Sequence, residues 1–187
     1  MINKAGIVIL ILFALTGLYF GFSGICKLHL EEEINKLDEK RDELQKVQIN
    51  RSVDDLPPFT NKYDYEYYMK VSRYEKIFPL VKVIPSFFGL IMTAMFFGLL
   101  GSIARIILGI VRNEYSKVNQ IKFISEPLLG LFTGLCVLGI SYVLPTILVF
   151  NGDAIRPITL MFFSLFCGIY ASNFFEKLAK LFSKFFK

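Results

Sequence analysis

The chain has 187 residues, 54% of them apolar and 16% aromatic, with a mean hydropathy of +0.52 and a net charge of +5. Only 20% of the residues are charged, against about a quarter in a typical soluble domain, and those charges are clustered. That excludes an ordinary soluble domain, because a bilayer core about 30 Å thick needs about 20 apolar residues in a helix and four windows of this chain meet or approach that length.

The first window, Ala5 to Cys26, carries no charge. Its apolar run is too long for the core of a signal peptide, only Lys4 precedes it, and no small-x-small cleavage site follows. Residues 1–26 therefore read as an uncleaved first transmembrane helix.

A long loop follows, residues 27–82, with eleven Lys or Arg against twelve Asp or Glu. Leu30, Ile34, Leu37 and Leu44 are spaced as on one side of a helix, which predicts that the first span continues as a charged helix over 27–48. Glu32 with Lys36 and Asp42 with Lys46 are favourable i,i+4 pairs. That helix packs on its own chain or forms an intermolecular coiled coil. Proline cannot continue a helix, so Val53-Asp54-Asp55-Leu56-Pro57-Pro58 ends it. Five of the nine tyrosines then fall between Tyr63 and Tyr74. Aromatic amphipaths gather at membrane–water boundaries. Tyr67, Val71, Tyr74 and Phe78 share a helical face, so an interfacial helix leading into the second span is expected, with an extracellular recognition surface as the alternative.

The second span covers 83–112, a short cytoplasmic loop 113–126, the third span 127–150, a short external turn 151–156, and the fourth span 157–175. The tail, 176–187, places Lys177, Lys180, Lys184 and Lys187 on one helical face and Leu178, Leu181, Phe182, Phe185 and Phe186 on the other. Such a helix suits an anionic inner leaflet or a cytosolic partner, and Arg112 and Lys117 would add to the same basic surface. Lysine and arginine favour the cytoplasmic side of short loops, which puts both termini in the cytoplasm and the 27–82 loop outside.

Each span carries small residues about four apart: Gly17 and Gly21; Ala94, Gly98 and Ser102; Gly130 and Gly134; Ser164, Gly168 and Ser172. Lipid gives no hydrophobic drive between helices, so close backbone approach matters. The ladders predict a tight bundle, contacts between copies, or both. Pro145 predicts a kink or gate in the third span, with Ser141 and Thr146 as compensating hydroxyls.

Catalytic chemistry is sparse. His29 is the only histidine, and Cys26, Cys136 and Cys167 have no ligand spacing. Glycine-rich phosphate loops, HExxH and GxSxG are absent from the sequence. The expectation is a protein that is not an enzyme, has no cofactor or metal and does not bind nucleic acid directly. No acid falls in the expected spans, so Arg105 is the one ionisable candidate, either reaching the interface or lining a cavity.

Four spans in under 200 residues, one charged helical loop and a basic tail resemble the small multi-pass subunits of bacterial antiphage systems, and the chain is similar in size and span number to the membrane component of the Kiwa system. Accessory membrane proteins of RNA-targeting CRISPR loci have a comparable layout. The resemblance implies an association with a cytosolic partner and carries over no residue. The sequence thus leads to an all-α, four-span, homo-oligomeric inner-membrane protein in contact with lipid and with a cytosolic protein partner. Its function would be sensor or scaffold, or an oligomeric pore.

Overall fold

A computed structural model of the protein describes residues 4–51, 58–112, 121–143 and 157–185. The chain is mostly helical. In order, its elements are α1 (Lys4–Asp38), α2 (Arg41–Gln45), β1 (Gln48–Arg51), β2 (Phe59–Asn61), α3 (Lys62–Glu75), α4 (Leu80–Val83), α5 (Ser86–Val111), α6 (Lys122–Val143), α7 (Pro157–Ile169) and α8 (Ala171–Phe185). Among the described residues three helices are long and apolar enough to cross a membrane: α1, α5 and Lys122–Tyr142 of α6. The α7–α8 pair makes a fourth only if its two parts, bent by 79°, count as one span. These helices are compatible with a multi-pass membrane protein. Contacts divide the chain into two compact units, Met1–Ile25 with Leu90–Lys187, and Cys26–Gly89.

In the larger unit the helices approach at their glycines. A Cβ added at Gly98 would lie 2.9 Å from the Gly134 nitrogen, and one at Gly168 would lie 2.8 Å from the Gly98 carbonyl carbon. Gly101 meets the Ile169 nitrogen at 2.9 Å in the same sense, and Gly134 meets the Met95 Cα at 2.9 Å. All of these neighbours are backbone, so α5 touches α6 and α7 where no side chain intervenes. Gly17 and Gly21 of α1 instead receive side chains of α5, from Leu99 and Leu100 and from Phe97. Leu10, Leu99, Ile103, Ile106 and Phe123 form one buried cluster, and Ala94, Val137, Leu138 and Leu160 another. The small-residue ladders are therefore occupied within one chain.

Hydroxyls buried in this apolar setting bond their own helices, because an unpaired polar group is costly there. Ser102, Thr133 and Ser141 donate to the carbonyls of Leu99, Leu129 and Leu138 at 2.6–2.7 Å. Ser164 is fully buried and its Oγ has no hydrogen-bond partner.

The unit Cys26–Gly89 is built differently. Leu30, Leu37 and Val81 are its buried apolar side chains. Aromatic pairs do much of the remaining packing: Phe59 against Tyr65 and Tyr68, and Tyr63 stacked on Tyr67. The guanidinium of Arg41 lies over Tyr63 and that of Arg51 over Tyr65. Asn61 caps α3 by accepting from the Asp64 N–H at 2.8 Å. The Tyr63 hydroxyl donates to Asp38 at the end of α1, and Lys70 pairs with Glu33 at 3.5 Å.

Several expectations need correction. The helix predicted over 27–48 ends at Asp38, and after α2 the chain becomes a strand. Strands β1 and β2 pair antiparallel, Gln48 with Asn61 and Arg51 with Phe59, with an irregularity between. The fold is all-α in class, as expected, with one small two-stranded hairpin added to it. Leucine spacing could not reveal this, because cross-strand pairing of Gln48–Arg51 leaves no helical period. The Glu32–Lys36 pair does form, at 2.6 Å. The tyrosine helix does not run into α5: it stops at Glu75, and Ile84, before Pro85, is extended, as a residue before proline prefers. The third helix begins at Lys122 and runs through Pro127, which puts Glu126 inside it. Finally, 157–175 is not one straight helix, since it breaks at Tyr170.

Candidate functional site

At 1.5 Å per residue α7, with 13 residues, is about 20 Å long, shorter than the hydrocarbon core. Its C-terminus lies beside Arg105, the twentieth residue of the 26-residue α5. Arg105 Nη1 donates to the Ser172 Oγ and, at 3.5 Å, to the carbonyl of Ile169. Ile169 is the last residue of α7 and Ser172 the second of α8. The final carbonyls of a helix have no intrahelical partner and carry its partial negative charge. A fixed cation therefore sits where the bend leaves carbonyls exposed.

Around this contact lies a small cleft lined by Ser102, Arg105, Glu126, Leu129, Gly168, Ala171 and Ser172. Its room is of the order of a single water molecule. Four helices supply it. Ser102 and Arg105 come from α5, Glu126 and Leu129 from α6, and the rest from the α7–α8 junction. A basic and an acidic group thus share one half-buried recess among otherwise apolar helices.

The structure brings together four sequence candidates, Arg105, Ser102, Gly168 and Ser172, of which Ser102 is buried and Arg105 and Ser172 are half-buried. Glu126 is not among the sequence candidates, because Pro127 reads as the start of the third span while the helix begins at Lys122. The presence of an acid directly before proline at the edge of an apolar run was the available signal. Gly17, Gly21, Ala94, Gly98, Gly130, Gly134 and Ser164 lie in the helix contacts of the same unit and outside the cleft. Arg112 is exposed at the end of α5, and Lys177, Lys180 and Lys184 are exposed on α8, with Lys180 bonded to Glu176 at 2.7 Å. Lys117, Pro145 and Lys187 lie outside the described residues. Among the described residues no cluster of His, Cys, Asp or Glu could hold a metal ion.

In the unit Cys26–Gly89 two phenols have perturbed acidities. The Asp38 hydrogen bond raises Tyr63 above the ordinary value of 10.0, and burial followed by the charge of Glu33 raises Tyr74. His29 lies 3.9 Å from Glu32, 3.7 Å from Glu33 and edge-on to Tyr74. These contacts hold α3 along the charged part of α1.

No family model matches the chain, and neither a curated protein nor a solved structure matches it.

Proposed function

We propose that the chain is a four-span protein of the bacterial inner membrane, with both termini in the cytoplasm, that acts as a sensor or scaffold and not as an enzyme. The observation that carries this is the unit Cys26–Gly89. An anchor or a bare conduit needs only short connections between spans. This chain instead builds a hairpin, a capped helix and arginine–tyrosine stacks there. The basic ends of α5 and α8 set the orientation by the positive-inside tendency, which leaves the unit outside to meet an envelope event. A cytosolic protein partner would receive the signal at the exposed end of α5, at Arg112. Membership in an antiphage system, of the kind whose layout the chain resembles, is the setting proposed for that relay, and an accessory role at an RNA-targeting CRISPR locus is the alternative.

The pore reading has less behind it. The glycine ladders that would have lined contacts between copies are filled by the chain's own helices, so homo-oligomers would have to form through the outer apolar faces. The Arg105 cleft has room for about one water.

Two linked measurements test the proposal in a background with Cys26, Cys136 and Cys167 replaced by alanine. Lys40→Cys should react with an impermeant maleimide in intact spheroplasts, and Ser183→Cys only after permeabilisation. Replacing residues 39–75 by a glycine–serine linker should leave the protein in the membrane and abolish phage protection by its natural gene cluster. Protection undiminished without that segment would overturn the sensor reading.

A further inference from the structure

The 79° bend at Tyr170 redirects the chain where α7 ends, and three observations say what α8 then lies on. The first is polarity. At 100° per residue, Asn173, Glu176, Lys177, Lys180, Ser183 and Lys184 fall on one side of α8, and each of them is exposed. On the other side Ala171 is buried and Phe174 and Phe175 are half-buried. The second is direction. Within the four-span reading, in which α7 makes a fourth crossing shorter than the full core, a helix turned by 79° from it runs close to the membrane plane. The third is depth. Arg105 fixes the turn about 10 Å before the end of α5 (six residues short of Val111), near the polar boundary of a 30 Å core entered at Ser86.

We propose that α8 lies in the plane of the cytoplasmic leaflet and selects for anionic phospholipid headgroups through Lys177, Lys180 and Lys184. The inference rests on the membrane reading above and adds the partner of the tail. Charge complementarity favours lipid: three lysines face outward against one acid, Glu176, which already holds Lys180. Amphipathic helices of this composition seat at the headgroup boundary, and each lysine there adds about fivefold in affinity. Arg105 acts as a positioning residue. It contacts the helix junction and sets the angle at which α8 meets the leaflet.

The chain has no tryptophan, so a single one introduced into the full-length protein reports alone. Phe175→Trp on α8 would be read by brominated-lipid quenching in nanodiscs of pure phosphatidylcholine and of phosphatidylcholine mixed with phosphatidylglycerol. The expected result is strong quenching in the anionic discs, weaker quenching in the neutral ones, and loss of the difference in 1 M salt, where screening falls to about 3 Å. Combining Lys177→Gln, Lys180→Gln and Lys184→Gln should lower the anionic preference by about a hundredfold. The salt series needs no lysine substitution, so it decides the matter even where that triple variant fails to assemble. Equal quenching in both discs at all salt concentrations, or none in either, as for a tail docked on a protein, would overturn the proposal. Phe132→Trp, at an exposed position of α6, separates the two levels of inference. If it too escapes quenching, the membrane reading has failed as well; if it alone is quenched, only the lipid role of α8 has.

Discussion

Substituting Gly98 by alanine tests the close backbone packing directly. The added Cβ would sit 2.9 Å from the Gly134 nitrogen and 3.0 Å from its Cα, and closer still to the Gly130 carbonyl oxygen. None of these atoms can rotate away, so α5 and α6 must separate. Forcing atoms into a packed interior costs about 1–3 kcal/mol, and here the upper part of that range applies because the obstacles are backbone. Alanine also returns up to about 1 kcal/mol of helix propensity over glycine. The net loss is therefore about 1–2 kcal/mol. Gly139 of α6 is the control, since nothing lies within 4 Å of its added Cβ. Gly139→Ala should be neutral or stabilising by up to about 1 kcal/mol, which separates the two variants by about 1–3 kcal/mol. Pulse labelling of the half-buried Cys167 during titration with sodium dodecyl sulfate measures the opening of the bundle, with Cys26 and Cys136 replaced by alanine. Midpoints that give stabilities within about 0.5 kcal/mol of each other, the spread of indifferent surface changes, would refute the packing argument.

The same titration compares two arginines. Arg105→Gln removes a charged donor from the α7–α8 junction and should cost about 1.5–3 kcal/mol, whereas Arg112→Gln, at an exposed site, should stay within about 0.5 kcal/mol; equal effects would separate Arg105 from the bend. Acidity tests the smaller unit. The Asp38 bond raises the folded pKa of Tyr63, so its stabilising contribution is complete below the unfolded value near 10.0 and is lost as pH rises through the folded value. Tyrosinate absorbance of the parent minus that of Tyr63→Phe should therefore titrate above pH 10.0 and move down in Asp38→Asn; a difference curve centred at or below that pH would contradict the bond. Asn61→Ala should destabilise α3 by about 1 kcal/mol, seen as faster amide hydrogen exchange in its first turn, and unchanged exchange there would remove the cap from the account.

The helices of the larger unit are legible in the sequence, because its uncharged runs are too long for strands and are broken by few turn residues. The sequence also marked the glycines as contact points and Arg105 as the ionisable group that needed a partner. The i,i+4 pair of Glu32 and Lys36 was equally legible, since both residues lie on one local helix. What the sequence left open was every question that depends on a distant neighbour. The ladders could have served contacts within or between chains; the positions of Gly98, Gly134 and Gly168 place them within. The pairing of β1 with β2 joins segments across Pro57, where no local period operates. The helical start at Lys122, which brings Glu126 to the cleft, was hidden because proline reads as a boundary until a packed helix carries it. The bend at Tyr170 was hidden too. Hydropathy is blind to direction, and only the tertiary contact of Arg105 with the carbonyl of Ile169 and the hydroxyl of Ser172 fixes where one apolar run becomes two helices.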